Sequence, residues 1–296
     1  MDKIMVIVPH EDDEILMAAG IIERALQEKK QVTVVMATNG DYEGRDKVSG
    51  SVRLKETLMG LEVLGLSQER VIFMGYADTG MDPEESFLYN LYTEKEENKL
   101  HPGHCSAETY GLPKKADFHT ERYGSPAAYT RRNFKEDLRR IIRENEPDTI
   151  FTTSEEDMHG DHSGLFFFVK EILREEKERG YAPVLYSTVV HTKSGDENWP
   201  KRLKKGDTDD GVGEAKKGRP LSKLEAYTCP PGFNEGSLDW EKRVRFPVSA
   251  SMQSGDFSVN LKALALSMHK NALKEDAVEY LYAFIKAEEI FWKIEY

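Results

Sequence analysis

Cysteine is nearly absent from the 296-residue chain: Cys105 and Cys229 stand far apart, with no CxxC pair. No disulfide framework can be built from them, and a reducing, cytoplasmic setting is expected. No window approaches the roughly 18 uninterrupted apolar residues of a membrane-spanning helix. The N-terminal MDKIMVIVPH reaches acidic residues soon after its short apolar run, so it lacks the core of a signal peptide. Positive charge is also in deficit. Lys plus Arg number 41 and Asp plus Glu 53, leaving −12, a poor balance for binding a polyanion, so no nucleic-acid partner is expected. No GxGxxG follows the first apolar run and no GxxxxGK[ST] occurs anywhere, which leaves a dinucleotide or P-loop site unsupported. Internal repeats and low-complexity tracts are missing too.

Hydrophobic residues at 39% and charged residues at 32% allow a core beneath a charged surface and argue against disorder. Short apolar runs at 4–8, 32–37, 71–74, 148–153 and 184–190 read as buried strands. Between them, apolar residues recur at helical spacing: Ile15, Ala18, Ala19 and Ile22, then Leu54, Leu58 and Leu61, then Phe134, Leu138 and Ile141, then Leu165, Phe168 and Ile172. Strands alternating with amphipathic helices predict an α/β fold: a Rossmann-like, mostly parallel sheet of order 3-2-1-4-5 with helices on both faces. The whole chain, 1–296, reads as a single domain with long insertions near 80–129 and 193–245. The second insertion, with Lys and Arg interleaved among Asp and Glu, reads as a solvated loop. Residues 259–293 read as one or two terminal helices.

Two clusters carry chemistry. Pro9-His10-Glu11-Asp12-Asp13-Glu14 lies where the first strand runs into the first helix, and Asp157-Met158-His159-Gly160-Asp161-His162 lies where the fourth strand does the same. Strands 1 and 4 flank the topological switch point of such a sheet, where ligands bind outside the carboxyl ends of the strands. Imidazole nitrogen and carboxylate oxygen without thiolate suit Zn²⁺ or another divalent first-row ion. One His and one Asp from the first cluster with one His from the second would leave a coordination position open. Taken singly, His10 could be a buried helix-start histidine, and Asp12, Asp13 or Asp161 a helix cap; both clusters at one switch point favour a site.

The two motifs resemble those of the LmbE-like, or PIG-L, family of zinc-dependent N-deacetylases, whose members typically carry (A/P)-H-x-D-D-E after a first strand and H-x-D-H after a later one. The likeness covers roughly 1–80 and 130–192, and the EEIFW ending looks like the family's last helix. Glu11 stands where Pro is commonest, at a position with no assigned role. The resemblance implies His10, Asp13 and His162 as metal ligands, with Zn²⁺ the expected ion and Fe²⁺ or another divalent ion an alternative. It implies Asp12 as general base, His159 as the group that stabilises the oxyanion or protonates the leaving amine, and Asp161 as a carboxylate that orients a histidine. Arg53, which opens R-x-x-E with Glu56, and Asp78, which opens Asp-Thr-Gly-Met, look like the residues that hold the substrate. The competing readings are an exposed Arg53–Glu56 ion pair and a turn at Asp78.

Other residues are weaker candidates. His101, His104 and Cys105 lie close together but lack a fourth ligand at compatible spacing. Tyr89, Tyr92, Tyr110, Tyr123 and Tyr129 could stack on a sugar or anchor the first insertion. His191 and His269 could line the site or be packed histidines, and Asn39 and Gly40 are expected to shape the pocket floor. The implied activity is removal of an N-acyl group, acetyl foremost, from a small-molecule amino sugar such as an N-acetylglucosaminyl compound; the oligomeric state, including a homo-oligomer, stays open. Alternatives are an amidase acting on a thiol-sugar conjugate or another acylated small molecule, and a non-catalytic sugar- or nucleotide-binding protein with a structural metal. A DxD-type glycosyltransferase is disfavoured by the His-rich donor set.

Overall fold

A computed structural model describes residues 2–42, 44–204, 224–275 and 278–296. The expected alternation is present: β1 (Lys3–Val8), α1 (Asp13–Gln27), β2 (Gln31–Thr38), α2 (Lys47–Val63), β3 (Val71–Tyr76), α3 (Phe87–Thr93), α4 (Phe118–Tyr123), α5 (Arg131–Asn145), β4 (Thr149–Thr152), α6 (Gly160–Lys177) and β5 (Val184–Ser187). The chain then forms β6 (Val244–Pro247), α7 (Leu261–Leu266), α8 (Ala272–Glu275), α9 (Val278–Leu281) and β7 (Glu288–Ile294). One sheet of order β3-β2-β1-β4-β5-β7-β6 takes in all seven strands. The first five run parallel, and β7 pairs antiparallel with both β5 and β6.

β1 shows why the apolar run predicts a central strand. Ile4, Val6 and Val8 point into one core, with α1, α2 and α7, while Met5 and Ile7 point into the other, with α3, α5 and α6. Successive side chains alternate faces, so both must be apolar when helices cover both sides. α5 begins where Thr130 Oγ1 accepts the Asn133 amide and ends with Glu146 in the left-handed region, just before Pro147.

Three expectations change. The EEIFW segment is not a helix but the core of β7. Its spacing from Leu281 and Phe284 mimics a helical period, yet its aromatic and branched residues fit a pleated surface and close the open edge of β5. β5 is shorter than the apolar run at 184–190: beyond Thr188, the Val190 and His191 amides donate to the Asp157 carboxylate. The second insertion is more than a solvated loop: Trp199, Leu238 and Trp240 pack with Val189, Ile290 and Trp292 into a third apolar cluster, joined by the partly buried Tyr227 and Phe233. These few aromatics are diluted among Lys, Asp and Gly, so composition hides them. Residues 205–223 of that insertion lie outside the described residues.

Candidate metal centre

The β1–α1 turn and the start of α6 bring both clusters to the carboxyl ends of β1 and β4, which pair directly. His10 Nδ1, His162 Nε2 and Asp13 Oδ2 form a triangle with sides of 3.2, 3.3 and 3.4 Å. Ligands bound at about 2.0–2.1 Å around a tetrahedral ion lie about 3.3 Å apart, so these atoms already hold one face of such a site. His10 Nδ1 and His162 Nε2 are 3.2 Å apart. Two nitrogen atoms held that close, with a carboxylate oxygen completing the triangle, suit a shared cation.

Each histidine is backed by a carboxylate on its other nitrogen. His10 Nε2 lies 3.2 Å from Asp161 Oδ2 and 3.1 Å from Asp78 Oδ1. His162 Nδ1 lies 3.2 Å from Asp157 Oδ2. Such partners fix tautomer and ring orientation. Burial opposes charge on His10 and His162, but the surrounding carboxylates prevail, Asp78, Asp13 and Asp161 at His10 and Asp13 and Asp157 at His162, and both imidazole pKa values lie above the ordinary value. Burial likewise opposes charge on Asp13, but His162 and His10 hold its carboxyl below the usual range.

His159 behaves differently. It caps α6, and its Nδ1 accepts the Asp161 amide at 3.2 Å. Burial and the neighbouring His10, His162 and His191 hold its pKa well below that of a free imidazole. A neutral ring that accepts at Nδ1 carries its proton on Nε2, so His159 is a hydrogen-bond donor. It also comes within 4.8 Å of His10 and His162 through one nitrogen.

Asp12 stands at the start of α1 with φ 126°, a conformation that non-glycine residues rarely adopt. Its amide donates to Glu14 Oε2 at 3.0 Å, and its carbonyl accepts from Ile15 and Leu16. Glu14 is wholly buried, with Oε1 3.3 Å from His269 Nε2, so His269 supports this turn from behind and does not line the pocket. Asp12, Arg53, Asp78, His159 and His191 border one cavity of about 220 Å³.

Arg53 is buried and does not pair with Glu56. Its guanidinium donates to the Glu11 carbonyl at 3.0 Å and lies 3.7 Å from Asp78 Oδ2 and 3.8 Å from Glu11 Oε2. Glu56 accepts from Asn271 instead. Position 11 therefore has a use here: the Glu11 side chain is fully buried beside Arg53, and burial, the largest effect, pushes its carboxyl pKa well up despite the guanidinium. Gly40, at φ 59°, makes the room, since a Cβ there would lie 2.2 Å from Glu11 Oε2. Asn39 braces the same turn by donating to the Gly75 and Tyr110 carbonyls, both at 3.1 Å.

Asp161 also ties the first insertion to the centre, accepting from Ser86 Oγ at 2.7 Å and the Leu88 amide at 2.6 Å. Asp157 does the same for the end of β5, accepting the Val190 and His191 amides. Sequence reasoning gave Asp157 no role, although it opens the second cluster. Tyr42 and Tyr280 were also missed. They are the aromatics at the pocket, and no sequence signal marks them apart from other tyrosines. The five tyrosines of the first insertion do not border it: Tyr129 is core, stacked on Tyr76, and Tyr92 stacks on Phe167. His101, His104 and Cys105 face Glu94, Tyr42 and Asp41 respectively, and among the described residues they form no metal cluster.

A family profile described as "PIG-L: GlcNAc-PI de-N-acetylase" matches residues 5–173. Among curated proteins no sequence match is found. Similar solved structures include an N,N'-diacetylchitobiose deacetylase from Pyrococcus horikoshii, with TM-score 0.50 and 14% identity, covering 99% of this chain and 84% of that one. A pseudoaglycone deacetylase shares 14% identity with TM-score 0.53, over 99% and 96% of the two chains. The zinc-inhibited form of a teicoplanin deacetylase shares 13% identity with TM-score 0.51, over 98% and 97%. At these identities the likeness bears on the fold.

Proposed function

From the premise that this chain belongs to the PIG-L family, which its match over residues 5–173 shows, we propose that it is a metal-dependent N-deacetylase acting on an amino sugar. The observation that carries the reading is the triangle of His10 Nδ1, Asp13 Oδ2 and His162 Nε2 at 3.2–3.4 Å, beside a strained Asp12 on one pocket wall.

His10, Asp13 and His162 would hold the ion, and the nitrogen-rich, thiolate-free donor set favours Zn²⁺ over Mg²⁺ or Ca²⁺, with Fe²⁺ the next choice. When bound, such an ion supplies Lewis acidity to the reacting amide and its attacking water. The protein's own residues supply the rest. Asp12, aimed from a strained turn, takes a proton from the water that attacks the amide carbon and passes it to the amine nitrogen as the C–N bond breaks and the acyl group leaves as a carboxylic acid. His159, neutral and protonated at Nε2, donates to the developing oxyanion, a role its depressed pKa favours over proton donation as an imidazolium. Asp161 and Asp157 keep the His10 and His162 rings oriented. Arg53 and Asp78 reach the same cavity and would hold the sugar's hydroxyl groups, while Tyr42 and Tyr280 flank it.

The test is amine release from a panel of N-acetylglucosaminyl compounds by Zn²⁺-loaded protein, with chelator-stripped protein as the control. Chelation should abolish release and added Zn²⁺ or Fe²⁺ should restore it. Metal-independent release, or none from any N-acyl sugar, would refute the proposal.

A further inference from the structure

A second, larger cavity of about 790 Å³ adjoins the catalytic pocket and has no part in the chemistry described above. The first insertion builds it from α3 and the chain that follows. Thr79 borders both spaces, and Tyr42 on the catalytic side meets His104 on the other at a tilt of 48°, with ring centroids 5.4 Å apart. The catalytic pocket, at about 220 Å³, has room for little beyond one acylated sugar, so whatever the sugar is attached to must lie outside it. The adjoining space is where the Thr79 border leads.

Its lining is polar and acidic. Glu84, Glu85, Glu94 and Glu96 share the lining with Lys95 and Lys99; Lys99 is committed to an ion pair with Glu94, and His101 Nε2 lies 3.2 Å from the same carboxylate. A phosphate or carboxylate entering here meets net negative charge on a chain that already carries −12. A hydroxylated unit bearing an ammonium group meets partners for both its hydroxyls and its charge.

We infer that this cavity receives the part of the substrate beyond the N-acyl sugar, and that it selects a hydroxylated, amine-bearing unit against a phosphate-bearing one. The inference rests on the deacetylase reading and narrows it: the family's profile is described by a phosphoinositide-linked sugar, whereas the cavity charge of this chain disfavours an anionic attachment.

The experiment uses the full-length, metal-loaded protein at pH 7. kcat/KM is measured for free N-acetylglucosamine, for N-acetylglucosaminyl-glucosamine and for N-acetylglucosaminyl-phosphoinositol. The amine-bearing disaccharide should lead both others. In the Glu84→Gln/Glu85→Gln variant its advantage over free N-acetylglucosamine should fall about fivefold, the upper scale of two exposed charge contacts, and that fall should shrink at high salt. A lead by the phosphoinositol compound, or an unchanged ratio in the variant, would overturn the inference. If none of the three is deacetylated, the activity reading fails first. Calorimetric binding of the disaccharide and the phosphoinositol compound then decides the cavity by itself: tighter binding of the disaccharide, weakened in the variant, supports it, and equal or reversed binding refutes it.

Discussion

Glu14 Oε2 accepts the Asp12 amide at 3.0 Å and so holds Asp12 at φ 126°, a conformation that a side-chain-bearing residue keeps only under constraint. The strain, roughly 1–3 kcal/mol, lies in the turn that joins the first strand to the proposed metal ligands. Two carboxylates two residues apart therefore have different tasks, one aimed at the pocket and one bracing the turn.

Asp12→Asn keeps the shape and removes the proton acceptor. Turnover should fall by roughly 10²–10⁴-fold with the ion still bound at full stoichiometry. Asp12→Gly relieves the strained φ, so it should unfold at a higher temperature than Asp12→Asn while being no more active. Near-parental turnover in Asp12→Asn would end the general-base role, and loss of the ion in that variant would transfer Asp12 to the ligand set.

Replacing His10, Asp13 or His162 with Ala should abolish ion binding, measured by elemental analysis, and activity with it. Far-UV circular dichroism should stay near that of the parent, because the ligands lie at strand ends and the two apolar cores remain whole. Retention of a full equivalent of the ion by any one variant would remove that residue from the ligand set.

Ion binding should weaken as pH falls. His10 and His162 have raised pKa values in the ion-free protein, so protons occupy the nitrogen atoms that the ion needs. Below both pKa values each displaced proton adds about one logarithmic unit of apparent Kd per pH unit, up to about two for the pair. Asp13, with its pKa lowered, stays ionised and adds no further slope near neutrality. A Kd that is flat from pH 7 to pH 5 would contradict this arrangement.

Arg53→Ala should raise KM for the true substrate with metal content unchanged. It should also destabilise the fold, by about 3 kcal/mol if Glu11 remains ionised and less if the buried carboxyl protonates, since its cationic neighbour is gone. Glu11→Gln tests the opposite half: the Arg53 guanidinium keeps its bond to the Glu11 carbonyl, so KM should move less than in Arg53→Ala. Equal KM for the parent and Arg53→Ala would leave Arg53 as a structural residue alone.

Gly60→Ala gives a stability test in which helix propensity and packing oppose each other. Alanine is favoured in an α2 interior by about 1 kcal/mol. A Cβ there would lie 2.7 Å from His269 Nε2 and 3.1 Å from the Ala265 carbonyl, so it must displace the ring nitrogen that lies 3.3 Å from Glu14 Oε1. The substitution should lower the unfolding temperature and, through Glu14 and Asp12, turnover as well. A rise in the unfolding temperature would mean that His269 gives way freely.

The five parallel strands, their helices and the convergence of His10, Asp12, Asp13, His159, Asp161 and His162 were legible in the sequence, because the signals are local. An apolar run flanked by amphipathic spacing makes a buried strand, and neighbouring strands must bring their carboxyl ends together. What the tertiary structure alone decided depends on partners distant in sequence. Leu281 and Phe284 keep helical turns, but Phe291, which continues their spacing, lies in β7, since pairing along the edge of β5 satisfies backbone groups that no periodicity reveals. Arg53 turned from its near neighbour Glu56 to Glu11 and Asp78, because the space beside Gly40 admits a buried carboxylate. The proton of His159 was assigned by the Asp161 amide, and the bracing of Asp12 by Glu14 with His269 behind it arises only once α7 has packed against α1 and α2. Sequence spacing specifies which groups reach the switch point; the distances and burial created by packing specify which of them bears a proton, which a charge, and which only holds the others in place.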